Sequence, residues 1–106
     1  MHSIFSAIEA SIGIRVTEEV QLQQLREAID TVDAEILRLV ASRVELVLRI
    51  AEFKRERQMP VYDPDRERAV IERLLSLAPS NLDPQLVRRI FERIIDESRR
   101  VEQHQA

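Results

Sequence analysis

Apolar residues recur every three or four positions from Leu22 to Phe53, a spacing that predicts one unbroken helix of about ten turns with a single apolar seam. Written as heptads, Leu22, Ile29, Ile36, Arg43 and Ile50 share one seam position, and Leu25, Val32, Leu39, Leu46 and Phe53 share the other. Nine of these ten residues are apolar, and the exception is Arg43. The residues three and four away from it are Leu39, Val40, Leu46 and Val47, so no carboxylate on its own helix can neutralise it. An unpaired guanidinium in such a seam costs several kcal/mol and cannot escape by losing its proton, so an anion must come from elsewhere.

A chain of 106 residues makes one domain, with room for a core but with much to gain from a partner chain. A single glycine, no tryptophan and a charged fraction of 33% point to helices rather than sheets. Sixteen Lys and Arg are interleaved with nineteen Asp and Glu for a net charge of −3, which argues against a nucleic-acid binder. Without cysteine there is no disulfide, thiolate nucleophile or cysteine-ligated metal, and the two histidines, His2 and His104, lie near the ends. That distribution argues against a metal centre.

Residues 1–17 carry Ile4, Phe5, Ile8 and Ile12, but Ser6, Glu9 and Ser11 interrupt them and no basic segment precedes them. This does not make a signal peptide. The stretch is read as an N-terminal extension of unknown role ahead of a helical domain at residues 18–106. No apolar run is long enough to span a bilayer, so the expected location is the cytoplasm.

The long helix is expected to start near Thr17, with Glu18 and Glu19 complementing its dipole, and to end before Pro60. Pairs such as Glu45 with Arg49 and Glu52 with Arg55 lace its solvated flanks. A second helix opens at Asp63 as N-cap with Pro64 behind it, and runs through Val70, Ile71, Leu74 and Leu75 to stop before Pro79. Asp83 and Pro84 repeat the device for a third helix with the stripe Val87, Ile90, Phe91, Ile94, Ile95 and Val101. The fold class is all-α, with one long and two shorter helices per protomer. Forty residues of helix span about 60 Å, more than two short helices can cover, so the rest of the seam should bury against a second copy in a two-fold homodimer.

Several polar residues fall where apolar ones are expected. Lys54 comes eleven positions after Arg43, about 20° away around the helix and about 16 Å along it, so both can touch one small ligand. The alternative for Lys54 is a cation favoured by the helix C-terminus. Arg26 is seventeen residues before Arg43, about 25 Å away, too far to share its site. It either pairs with Asp30 on its own helix or serves the pocket of a partner chain. Glu67 shares an inward face with Asp63, Ile71 and Leu74, and Arg66 stands beside it. Capping suffices for Asp63, and a pair with Asp63 suffices for Arg66. On the third helix the stripe continues into Ser98 and Glu102, where fraying is the plain alternative. Together these residues point to a polar cavity inside a helical dimer.

Taken in order, LREAIDTVDAEILRLVASRVELVLRIAEFK, PVYDPDRERAVIERL and IFERIIDESRRVE resemble the all-helical, type II class of chorismate mutases. The resemblance covers about Leu22 to Glu102 and rests on the ordered Arg, Arg, Lys, Asp-x-x-Arg-Glu and Ser positions. It implies an intertwined homodimer of three-helix protomers that rearranges chorismate to prephenate in two equivalent pockets and needs no cofactor. By position, Arg43 and the partner chain's Arg26 would clamp the substrate carboxylates, with Ser98 and Arg66 assisting. Asp63 and Glu67 would hold the ring hydroxyl, and Lys54 would donate to the ether oxygen whose bond breaks. The last position, usually a glutamine that also donates there, is Glu102, which can donate only when protonated.

Other readings share parts of this pattern. An isochorismate pyruvate lyase or an aminodeoxychorismate mutase would use the same fold. A non-catalytic helical dimerisation module, in complex with another shikimate-pathway enzyme, would keep the seam but tolerate loss of Lys54. The Asp63 to Glu67 motif, complementary to a ring hydroxyl, favours chorismate.

Overall fold

The computed structural model describes residues 4–105, with side chains described for 16–104. Every regular element among them is a helix: α1 spans Ile4–Glu56, α2 Pro64–Leu77 and α3 Pro84–Gln105. The described chain is therefore all-α, with one long helix and two shorter ones.

The start of α1 differs from the expected one. The helix begins at Ile4, so Thr17, Glu18 and Glu19 lie inside it rather than opening it. The reason is local: residues 4–17 contain no proline, and the one glycine, Gly13, costs only about 1 kcal/mol relative to alanine. A capping residue without a preceding helix breaker does not define a boundary. Residues 1–3 of the expected extension lie outside the described residues.

The other boundaries follow from capping chemistry. At the end of α1, Gln58 takes a left-handed φ of 53° and the Met59 N–H donates back to the Lys54 carbonyl at 2.8 Å. This closes the final turn just before Pro60. Asp63 caps α2 by accepting the Arg66 backbone N–H at 3.0 Å, and Pro64 fills the first helical position, where its missing N–H costs nothing. α2 ends because Ala78, at φ −63° and ψ 136°, is extended ahead of Pro79. Asp83 opens α3 by accepting the Gln85 backbone N–H at 2.9 Å.

The chain divides into two compact units, Met1–Val40 and Ala41–Ala106. In the first, every described side chain from Val16 to Val40 is exposed, including seam residues Leu25, Ile29, Val32, Ile36 and Leu39. In the second, α2 packs against α3, and the buried residues are Val47 and Ala51 of α1, Ile71 of α2, and Val87 and Ile95 of α3. Each large aliphatic side chain fully removed from water contributes about 1.5–3 kcal/mol, so this small core holds the unit together. It also fixes the rotation of the last turns of α1: Arg43, Val47 and Lys54 face the site while seam residues Leu46 and Phe53 stay exposed. No helix among the described residues is long and apolar enough to cross a membrane.

Candidate active site

The second unit forms a half-open cavity of about 190 Å3. Its apolar lining is Val47, Ile50, Val61, Val70 and Ile95, and its polar lining begins with Arg43 and Lys54, eleven residues apart on α1. From the start of α2 come Asp63, Arg66 and Glu67, and from α3 come Ser98, Arg99 and Glu102. Seven of the eight residues expected from the sequence thus line one cavity. The eighth, Arg26, belongs to the first unit, is exposed and does not line it.

Arg43 donates to the Ser98 hydroxyl, which in turn donates to the Ile94 carbonyl at 2.7 Å. Among the described residues no carboxylate pairs with Arg43, so the anion its position calls for is not supplied by this unit. Burial pushes the Arg43 guanidinium below its usual range, and the neighbouring charge of Arg66 pushes it the same way. Both causes disfavour the cation, and the attraction of a bound anion would offset them.

Lys54 lies in the last turn of α1, yet its ammonium turns into the cavity rather than serving only as a C-terminal cation. It donates to the Val61 carbonyl at 2.9 Å and to Glu102 Oε2 at 3.1 Å. An ammonium has three protons, so two acceptors leave a third N–H for a ligand. Glu102 is half-buried on helical backbone, and Ser98 is engaged on both sides, so neither is a frayed end.

Asp63 uses its carboxylate to cap α2, and the group it meets on Arg66 is the backbone N–H, not the guanidinium. That leaves the Arg66 side chain to the cavity. Glu67 is held from α3 by Arg99, whose Nε donates to Glu67 Oε2 at 3.0 Å while Nη2 donates to Oε1. Arg99 also lies 3.5 Å from Asp96 Oδ1 and stacks 4.9 Å from the centre of the Tyr62 ring. Its hold on its proton is raised above the ordinary arginine value, chiefly by the bond to Glu67.

Arg99 is the lining residue that sequence reasoning missed. In the run Ser98-Arg99-Arg100 it reads as one more surface cation. The available signal is its spacing, four residues after Ile95 and three before Glu102, which places it on the same face as both.

Four cations and three carboxylates around a small cavity define an all-helical protein with a cation-rich pocket of the kind that takes a small anion. Residues 25–103 match the family model described as chorismate mutase type II. The chain is 32% identical over 80 residues to the chorismate mutase of Methanocaldococcus jannaschii, covering 74% of this chain and 81% of that protein. It is 39% identical over 84 residues to the bifunctional chorismate mutase/prephenate dehydratase of Escherichia coli K12, covering 78% of this chain but 22% of that protein. It therefore spans about a fifth of the length of such bifunctional relatives. Among solved structures, chorismate mutase (Form II) from Thermus thermophilus superposes with a TM-score of 0.77 at 34% identity, covering 80% of this chain and 97% of that one. The chain belongs to the type II chorismate mutase family.

Proposed function

We propose that this chain catalyses the rearrangement of chorismate to prephenate, as a homodimer whose two pockets each take Arg26 from the opposite subunit. The observation that carries the reading is the convergence of Arg43, Lys54, Arg66, Asp63, Glu67, Ser98 and Glu102 on one small cavity. Arg43, with Ser98 and Arg66 beside it, would bind one substrate carboxylate, and Arg26 of the partner subunit would bind the other. Asp63 and Glu67 would accept the ring hydroxyl. Lys54 would donate to the ether oxygen as its bond to the ring breaks and the new carbon–carbon bond forms, with protonated Glu102 as a second donor.

The reaction is concerted, so the protein has only to restrain a compact conformer and stabilise charge growing on one oxygen. A millionfold acceleration requires about 8 kcal/mol, and one preorganised donor at a developing oxyanion supplies roughly 3 to 4. Two donors together with conformational restraint meet that requirement. The homodimer is supported by the exposed seam from Leu22 to Leu39, which nothing within the described chain covers.

Incubation of the purified protein with chorismate and, separately, isochorismate tests the activity: prephenate supports the reading, salicylate with pyruvate identifies a lyase, and no change overturns both. Mixing inactive Arg26→Ala and Arg43→Ala chains tests the shared pocket, because each mixed dimer regains one intact site. Absence of recovered activity would remove the role of Arg26.

A further inference from the structure

We infer that Arg99 is a positioning residue for substrate recognition, fixing the Glu67 carboxylate in the orientation that accepts a ring hydroxyl; this rests on the function proposed above. The planar fork of an arginine matches both oxygens of a carboxylate at once, which sets the plane of the carboxylate as well as its place. Arg99 makes such a contact, with Nε on Oε2 and Nη2 on Oε1 of Glu67. The guanidinium is itself held from two other directions, by Asp96 Oδ1 at 3.5 Å and by the Tyr62 ring at 4.9 Å. Glu67 is thereby oriented by a group with contacts of its own on two other sides.

The partners sit where this matters. Arg99 and Glu67 both line the cavity, with side chains 28% and 26% exposed. An ionised carboxylate offers about four acceptor positions, and two parallel bonds from Arg99 leave capacity for a hydroxyl. There is also a charge argument. A dianion entering the cavity would be repelled by an uncompensated Glu67, and Arg99 cancels that repulsion without occupying the place of Arg43 or Lys54.

Arg99 could instead be a plain staple between α2 and α3, and kinetics separate the two roles. A hydroxyl contact is made equally in the ground and transition states, so losing its alignment raises KM and leaves kcat nearly unchanged. A staple changes the melting temperature without that split. Arg99→Leu is expected to raise KM for chorismate roughly tenfold or more, the loss typical of one hydrogen bond to a charged group. Arg99→Lys keeps the charge without the fork and should fall between Arg99→Leu and the parent. In a Glu67→Ala background, Arg99→Leu should add no further rise, because its effect passes through Glu67.

The parent, both single variants, the double variant and Arg99→Lys are assayed side by side, with circular dichroism to verify folding. If Arg99→Leu does not fold, the cycle is run with Arg99→Lys. An unchanged KM, a loss confined to kcat, or an equal loss in the Glu67→Ala background overturns the role of Arg99 while an active parent keeps the proposed function. An inactive parent overturns the proposed function and this inference with it.

Discussion

Lys54 and Glu102, forty-eight residues apart in the sequence, meet in a 3.1 Å ion pair whose side chains are only 14% and 12% exposed. Desolvation offsets much of the attraction in a pair so shielded, and its larger consequence is the cost of removing either partner alone. The pair also holds the two side chains at one wall of the cavity, with Lys54 the donor and Glu102 the acceptor, so Glu102 becomes a second donor only by taking up a proton.

Replacing Lys54 by Gln should lower kcat by about a hundredfold to a thousandfold, the usual cost of removing one donor to a developing oxyanion. The substitution also leaves Glu102 without its cation and weakens the tie to Val61, so the melting temperature should fall too. Steady-state chorismate consumption and thermal unfolding followed by circular dichroism check both. A variant with parental kcat would exclude Lys54 from the chemistry.

Glu102 can donate only through a protonated carboxyl, whereas an amide in its place always carries donor hydrogens. Glu102→Gln should therefore keep or raise kcat, and Glu102→Leu, which offers no donor, should lower it. Steady-state kcat of the parent and the two variants decides it. If Glu102→Leu keeps the parental kcat, Glu102 is not the donor, and attention moves to the exposed neighbour Gln103.

Arg43 gives a test in which stability and activity part. Burial and Arg66 both lower its affinity for a proton, so the folded state disfavours the charged form relative to the unfolded chain. That penalty operates at every pH below the guanidinium's own titration, which includes the whole working range. Arg43→Leu should accordingly melt at or above the parental temperature while losing turnover. A marked drop in melting temperature would mean that Arg43 is a structural residue.

The exposed seam makes a third kind of demand. An aspartate at Val32 or Ile36 should break pairing between copies, seen as a monomer by analytical ultracentrifugation and as loss of activity through loss of the shared Arg26. In the parent, melting temperature should rise with protein concentration. A monomeric parent with full activity would eliminate the shared pocket.

Where the chain carries an explicit stop or start, its sequence was enough. Asp63-Pro64, Asp83-Pro84, Pro60 and Pro79 each act through neighbouring backbone atoms, so helix boundaries there could be read without tertiary information. The start of α1 could not, because Thr17 carries a capping side chain but no preceding residue prevents the helix from continuing back to Ile4. Site residues on α1 were legible because Arg43 and Lys54 break an apolar pattern. Arg99 breaks none: it sits in a charged run, and its importance comes from Glu67, thirty-two residues away on another helix. Such pairings are set by how α2 lies on α3, which no local spacing encodes.

Asp63 carries two duties at once. The oxygen that secures the Arg66 amide belongs to a side chain on the wall of the pocket, so any drift that retunes what the pocket accepts also acts on the first turn of α2. Only short acceptors such as asparagine, serine or threonine preserve that turn, and alanine sacrifices about 1 kcal/mol of it. Evolution toward a new substrate through this position is thus confined to a narrow chemical alphabet, and wider change is more easily reached through residues with no backbone to hold.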